Sequence, residues 1–124
     1  MSKKKIIAVL SDLMFTVKIQ DAAKRAGIET VFVKTSEAAI NLARESPAAM
    51  ILDLNASDIR PLELIEQLKS EPETSNITLI GFISHVQADL KAAAQQKGCD
   101  LVVARSAFSQ QLPDFLQKIA AESA

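Results

Sequence analysis

The sequence predicts one α/β domain of the (βα)5 kind, a doubly wound, parallel five-stranded sheet with helices on both faces. Three observations carry that expectation. Short apolar runs recur with the length and composition of buried strands. Segments with apolar residues at helical spacing alternate with them, most of them closed by glycine or proline. The chain has 124 residues, enough for one sizeable core and too few for two. Strands that alternate with helices pair in parallel, and right-handed crossovers then leave the strand order 2-1-3-4-5.

Strand one is Lys5 to Leu10. Ser11 or Asp12 caps a helix whose apolar positions are Phe15, Ile19, Ala22, Ala23 and Ala26, and Gly27 ends it. Thr30 to Val33 is a short β-branched and aromatic strand. Helix two runs from Ser36 to about Glu45 with Ala39, Ile40 and Ala43 inward, and Ser46-Pro47 stops it. Strand three follows, up to Asp53. Pro61 lies in the first turn of helix three, whose buried face is Leu64, Ile65 and Leu68. Ser70 to Asn76 is a polar loop, and Ile77 to Ile83 is strand four, where Gly81 suggests a close approach. Val86, Leu90 and Ala93 mark helix four, capped by Gly98. Leu101 to Ala104 is strand five, and Leu112, Phe115 or Leu116, and Ile119 mark helix five, with Pro113 in its first turn.

The run Ala49-Met50-Ile51-Leu52-Asp53-Leu54-Asn55 organises the rest. Its apolar residues read as a strand covered on both faces, and a carboxylate inside such a strand is costly to leave ionised and unpaired. At the carboxyl end Asp53 opens instead into the crevice where parallel sheets bind ligands. In the order 2-1-3-4-5, Ser11, Asp12 and Asp53 meet there, and Ser84 and Arg105 approach from strands four and five.

Composition removes several classes of function. A formal net charge of -1 gives no electrostatic case for nucleic acid or an anionic membrane. Trp and Tyr are absent, which weakens any case for base stacking or an interfacial anchor. No stretch approaches a membrane span, and Asp12 closes the short apolar run after Lys3-Lys4-Lys5, so the start reads as a strand rather than a signal peptide. Cys99 is alone, which leaves no disulfide framework or metal knuckle, makes it a small core residue and fits a reducing, cytoplasmic setting.

A carboxylate ending strand three, a hydroxyl ending strand four and a cation ending strand five form a recognisable set. With Ile51-Leu52-Asp53-Leu54, Leu79-Ile80-Gly81-Phe82-Ile83-Ser84 and Gly98-Cys99-Asp100 leading to Arg105, nearly the whole chain resembles the receiver domain of bacterial two-component response regulators, a flavodoxin-like fold. The resemblance implies that Asp53 takes a phosphoryl group from a histidine kinase or phosphotransfer protein, that Ser84 contacts phosphoryl oxygens, and that Arg105 neutralises charge. A carboxylate attacks phosphorus to give an acyl phosphate, and the loose transition state asks for positioning and positive charge. The family draws that charge from Mg2+, for which the candidate ligands are Asp12, Asp53 and the backbone carbonyl of Asn55.

The chain also departs from the family. Leu10 and Ser11 stand where an acidic pair is usual, which weakens the case for Mg2+, and Asp12, one position on, either ligates or caps the helix. Ala56-Ser57 replaces Met-Pro, Arg60-Pro61 stands where a Gly often follows, and Val102 replaces the aromatic that rotates on activation. Arg105 replaces lysine; its fork binds carboxylates bidentately, so it is expected to clamp Asp53. This is the pattern of an atypical receiver or a pseudo-receiver. Ser84 has N-capping of helix four as an alternative role, and His85 reads as a solvent-facing helix start rather than a pH sensor.

The expected function is a receiver-like module in phosphorelay signalling, not an enzyme in its own right, although it can take its phosphoryl group from a donor by itself. There is no room for a DNA-binding output domain, so output is expected by protein contact through the face of helix four, strand five and helix five, with Val86, Gln87, Lys91, Val103 and Phe108 as candidates. The alternatives are a phosphorylation-independent scaffold, marked by an Arg105–Asp53 contact and indifference to magnesium, and a flavin- or nucleotide-binding protein. The latter needs a phosphate-cradling loop after strand one, which Ser11-Asp12-Leu13-Met14, without glycine, does not supply. Nothing pairs a Ser or Cys nucleophile with a base, so a hydrolase is weaker still.

Overall fold

A computed structural model of the chain describes residues 4–56, 59–84 and 87–122. The elements are β1 (Lys5–Val9), α1 (Leu13–Ala26), β2 (Glu29–Val33), α2 (Ser36–Ala43), β3 (Ala49–Asp53), α3 (Pro61–Ser70), β4 (Thr78–Ile83), α4 (Ala88–Lys97), β5 (Leu101–Ala104) and α5 (Arg105–Ala121). All strands lie in one sheet, ordered β2-β1-β3-β4-β5, and every pair is parallel. The expected topology is the observed one.

Alternation along each strand divides the core into two layers. Ile7, Val9, Met50, Leu52 and Leu79 face α2, α3 and α4, where they meet Ala39, Ala43, Leu64, Ile65, Leu68 and Ala94. Ile6, Ala8, Ile51, Ile80 and Phe82 face α1 and α5 and meet Phe15, Ile19, Phe108, Leu112 and Leu116. Each fully buried Leu, Ile or Phe contributes roughly 1.5–3 kcal/mol, so strand parity alone fixes which helix can lie on which face. Asp53 shares its parity with Ile51 and so stands at the top of the α1/α5 layer. In that layer Phe15, Phe82 and Phe108 form a cluster, with ring centroids 4.7 Å apart for Phe15–Phe82 and 5.8 Å for Phe82–Phe108.

Four element-level expectations are corrected. Phe108 is not a surface residue: it is 1% exposed inside that aromatic cluster. Helix five begins directly at Arg105, with Ala104 as its N-cap, so Pro113 lies in the helix interior rather than its first turn. The proline is tolerated because it sits on the exposed face, where the amide it lacks costs a solvent-side hydrogen bond. Helix four starts at Ala88 and buries Ala94 rather than Ala93, and Gln87 rather than Ser84 is its N-cap residue. Helix two stops at Ala43, two residues earlier than expected. The readings placed on Ser57, His85 and Val86 lie outside the described residues.

Candidate functional site

Four strand ends deliver the site. β1 ends at Val9, and the chain crosses Leu10 and Ser11 to Asp12, the N-cap of α1. β3 ends on Asp53, β4 is followed at once by Ser84, and β5 hands over to Arg105. A cleft of about 410 Å³ is lined by Ser11, Asp12, Asp53, Asn55, Ala56, Ser84 and Arg105. Every residue singled out for the site from the sequence therefore borders one cavity. A second groove, about 540 Å³ between α1 and α5, shares Asp12, Ser84 and Arg105 with it and adds Met14, Lys18 and Ser109.

Asp53 is 8% exposed. Its Oδ1 accepts from the Asn55 backbone N–H at 3.0 Å. Burial pushes its pKa above the ordinary carboxylate value; the Asn55 N–H and the charge of Arg105 pull the other way, and Asp12 adds to the rise. The expected Arg105–Asp53 clamp is not found. Arg105 Nη1 donates instead to Asp12 Oδ2 at 2.6 Å. The guanidinium carbon lies 5.3 Å from the Phe15 ring centroid and 5.5 Å from that of Phe82, within cation–π range. Arg105 Nε is sealed from solvent without a hydrogen-bond partner.

Asp12 therefore combines two roles. Its Oδ1 accepts from Phe15 N–H at 3.0 Å, the capping bond of α1, while Oδ2 holds Arg105. Its pKa is lowered, chiefly by the Phe15 N–H; burial comes next and opposes, and the hydrogen bond and charge of Arg105 then lower it further. Leu10, at the position of an acid, is 2% exposed in the α1/α5 core.

Asn55 is the residue that sequence reasoning undervalued. It was assigned a backbone carbonyl only, yet its side chain bridges two loops. Asn55 Oδ1 accepts from the Ser84 N–H at 2.7 Å and the Ser84 hydroxyl at 3.1 Å, and its Nδ2 donates to Gln87 Oε1 at 2.8 Å. The usable signal was its type and place, a short amide just past a strand end, where Asn bonds nearby backbone. Ser84 is thus held by Asn55, pointing into the cleft rim rather than onto Asp53.

The donor set fits a divalent cation poorly. Magnesium asks for near-octahedral oxygen ligation from one or two carboxylates. Here Leu10 offers hydrocarbon, and both Asp12 oxygens are engaged. Among the described residues no three His, Cys, Asp or Glu side chains gather as metal ligands would.

A larger groove, about 870 Å³, lies at the opposite, amino end of the strands. Two of its three lysines are engaged: Lys5 pairs with Glu29 and Glu45, and Lys4 Nζ donates to the Ile119 and Glu122 carbonyls. Among the described residues no helix is long and apolar enough to cross a membrane.

No family model matches the chain. It is 23% identical to the polar-differentiation response regulator DivK of Brucella ovis over 117 residues, 93% of either chain. Among solved structures, the phosphorylated cyanobacterial phytochrome response regulator RcpA superposes with a TM-score of 0.81 at 21% identity, covering 99% of this chain and 97% of that one. The receiver domain of the sensor histidine kinase PA1611 from Pseudomonas aeruginosa PAO1, which holds magnesium in its active-site cleft, gives a TM-score of 0.81 at 13% identity over 98% and 100%. At such identities the superpositions show a shared fold.

Proposed function

We propose that this chain, receiver-like in fold and in its curated relatives, is a phosphorelay module that accepts a phosphoryl group on Asp53 and signals by protein contact. One observation carries the reading: the carboxyl ends of β1, β3, β4 and β5 put Asp12, Asp53, Ser84 and Arg105 around a single cleft. In the transfer, an Asp53 carboxylate oxygen forms a bond to phosphorus. The bond from phosphorus to the donor's leaving atom breaks, and its electron pair departs with that atom. Arg105 supplies positive charge to the phosphoryl oxygens, and Ser84 supplies a hydroxyl donor once it turns from Asn55. No step is routed through a metal, because the donor set does not fit one.

The donor is a protein carrying phosphohistidine, from a histidine kinase or a phosphotransfer protein, and it has to bring that group to the cleft. The rim offers it an apolar landing: Leu13, Met14 and Val17, at the start of α1, are 77%, 78% and 62% exposed. Output uses the face of α4, β5 and α5, where Lys91 is exposed and Gln87 and Val103 are half-buried. Gln87 is the residue through which Asn55 reaches the start of α4.

The deciding experiment is intact-protein mass after incubation with acetyl phosphate, with Asp53→Ala in parallel. A single added phosphoryl group, absent in the variant, is the expected result. Its absence from the unaltered chain would leave the phosphorylation-independent scaffold as the better reading.

A further inference from the structure

We propose that Arg105 is a built-in cation of the cleft that replaces a divalent metal beside Asp53, so that the pocket takes up a phosphoryl group without metal. The inference rests on Asp53 being the acceptor.

The guanidinium is fixed from three sides. Asp12 Oδ2 accepts from Nη1 at 2.6 Å, and the rings of Phe15 and Phe82 lie 5.3 and 5.5 Å from its central carbon. Those rings belong to the buried aromatic cluster, at 3% and 0% exposure, so they are not free to move aside. An arginine in such a seat is charged at any relevant pH and keeps further N–H donors beyond the one given to Asp12. Among the described residues its only protein acceptor is Asp12.

A metal entering this cleft meets two obstacles. Leu10 supplies no oxygen, and its side chain is packed in the core. Asp12 would have to release Arg105, taking its one hydrogen-bonded carboxylate from a part-buried guanidinium seated on two phenylalanines, which costs less than breaking a fully buried ion pair but still opposes the metal. It would also be drawn from the Phe15 N–H that caps α1. What remains for a metal is one carboxylate, Asp53, and the backbone carbonyl of Asn55, with water. Arg105, by contrast, already faces the place where charge spreads over the phosphoryl oxygens as the bond to Asp53 forms, and positive charge is what that transition state asks for. The Asp12–Arg105 pair is neutral in sum. The arriving phosphoryl oxygens take the N–H donors that Asp12 leaves open and compete with Asp12 for Nη1.

The test has a binding arm and a chemical arm. In the first, Mn2+ is titrated into the 15N-labelled chain and broadening of the Asn55 and Ala56 amides is followed, with melting measured with and without millimolar Mg2+. In the second, acetyl phosphate uptake is timed by intact mass in EDTA and in Mg2+. The expected results are no selective broadening, an unmoved melting temperature and rates equal in the two buffers. Arg105→Lys, which keeps charge but loses the fork and the stacking, should slow uptake in EDTA by about ten-fold or more. Selective broadening at Asn55 and Ala56, or an adduct that forms only with Mg2+, overturns the inference while leaving Asp53 as acceptor. No adduct in either buffer overturns the acceptor reading itself.

Discussion

Asp12 and Asp53 are two carboxylates in one cleft whose pKa values are driven apart by different physics. Asp12 lies below its ordinary value because the Phe15 N–H and Arg105 favour the charged form. Its contribution to stability is in place above the pKa it has in the unfolded chain and is lost as pH falls through its lower native value. Asp53 lies above its ordinary value because burial disfavours the charged form. The native state therefore binds this proton more tightly than the unfolded chain, and stability from Asp53 grows as pH falls through its native value towards the unfolded one. Replacing Asp53 with Asn is expected to raise stability at neutral pH and to remove that acid-side gain, which urea melts at stepped pH will show. Asp12→Ala should cost about 1–2 kcal/mol, since it removes a helix cap and orphans a part-buried Arg105. Asp12→Asn keeps the cap and loses only the pair, so its smaller loss in the same melts separates the two roles. The sequence already offered capping for Asp12, and the structure bears that out. The partner of Arg105 was misread because the choice between Asp12 and Asp53 depends on where α5 starts relative to β5. α5 starts directly at Arg105 with Phe108 buried in its first turn, a start that no local spacing in the sequence marks.

At the scale of elements, the alternation of short apolar runs with helical stripes was enough to place all five strands, because the inner strands β1, β3 and β4 are buried on both faces and the half-exposed edge strands β2 and β5 are still short β-branched, apolar runs. Helix starts were less legible where neither a side-chain cap nor a first-turn proline marks them, as Pro61 marks α3. Neither α4 nor α5 has a side-chain cap hydrogen bond, and these are the helices whose starts were misjudged. The first turns of α5 are polar apart from Ala107 and Phe108, so an apolar period does not reveal them. The entry to α3 shows what a family departure costs. Arg60 adopts φ 44 and ψ 66, a left-handed conformation that glycine reaches without strain. Its exposed contact with Glu63, at 3.5 Å, adds little in return. Arg60→Gly is expected to stabilise the fold by about 0.5–1 kcal/mol in denaturant melts, the relief of strain exceeding the added freedom of the unfolded chain. Gly81 has the opposite sign. A Cβ there would stand 2.6 Å from Leu54 Cδ1, and Leu54 is buried directly after Asp53. Gly81→Ala should therefore cost about 1–3 kcal/mol and disturb the acceptor loop, read as a slower acetyl phosphate adduct in a chain that still melts cooperatively.

For the whole molecule, parallel strands send their carboxyl ends to one side, so a receiver-like sheet has one chemical end and one inert end. The chemistry-bearing residues and the exposed apolar turn of α1 share the first, while the larger groove at the other end gathers none of the residues singled out for the site. That asymmetry separates two ways of loading Asp53. A small donor such as acetyl phosphate needs only the 410 Å³ cleft. A phosphohistidine on a protein cannot reach a residue 8% exposed unless its carrier rests on the rim, and among the described residues Leu13, Met14 and Val17 are the large exposed apolar side chains there. A contact area centred on a few such residues carries most of a docking energy. Changing Leu13, Met14 and Val17 together to serine is therefore expected to slow transfer from a phosphorylated histidine-containing protein by about ten-fold, the loss of roughly 1.4 kcal/mol of docking. Acetyl phosphate uptake should stay as it was, because none of the three lines the cleft. Equal slowing of both reactions would place the defect in the cleft itself, and equal rates for the altered and unaltered chains with the protein donor would move the docking surface away from α1.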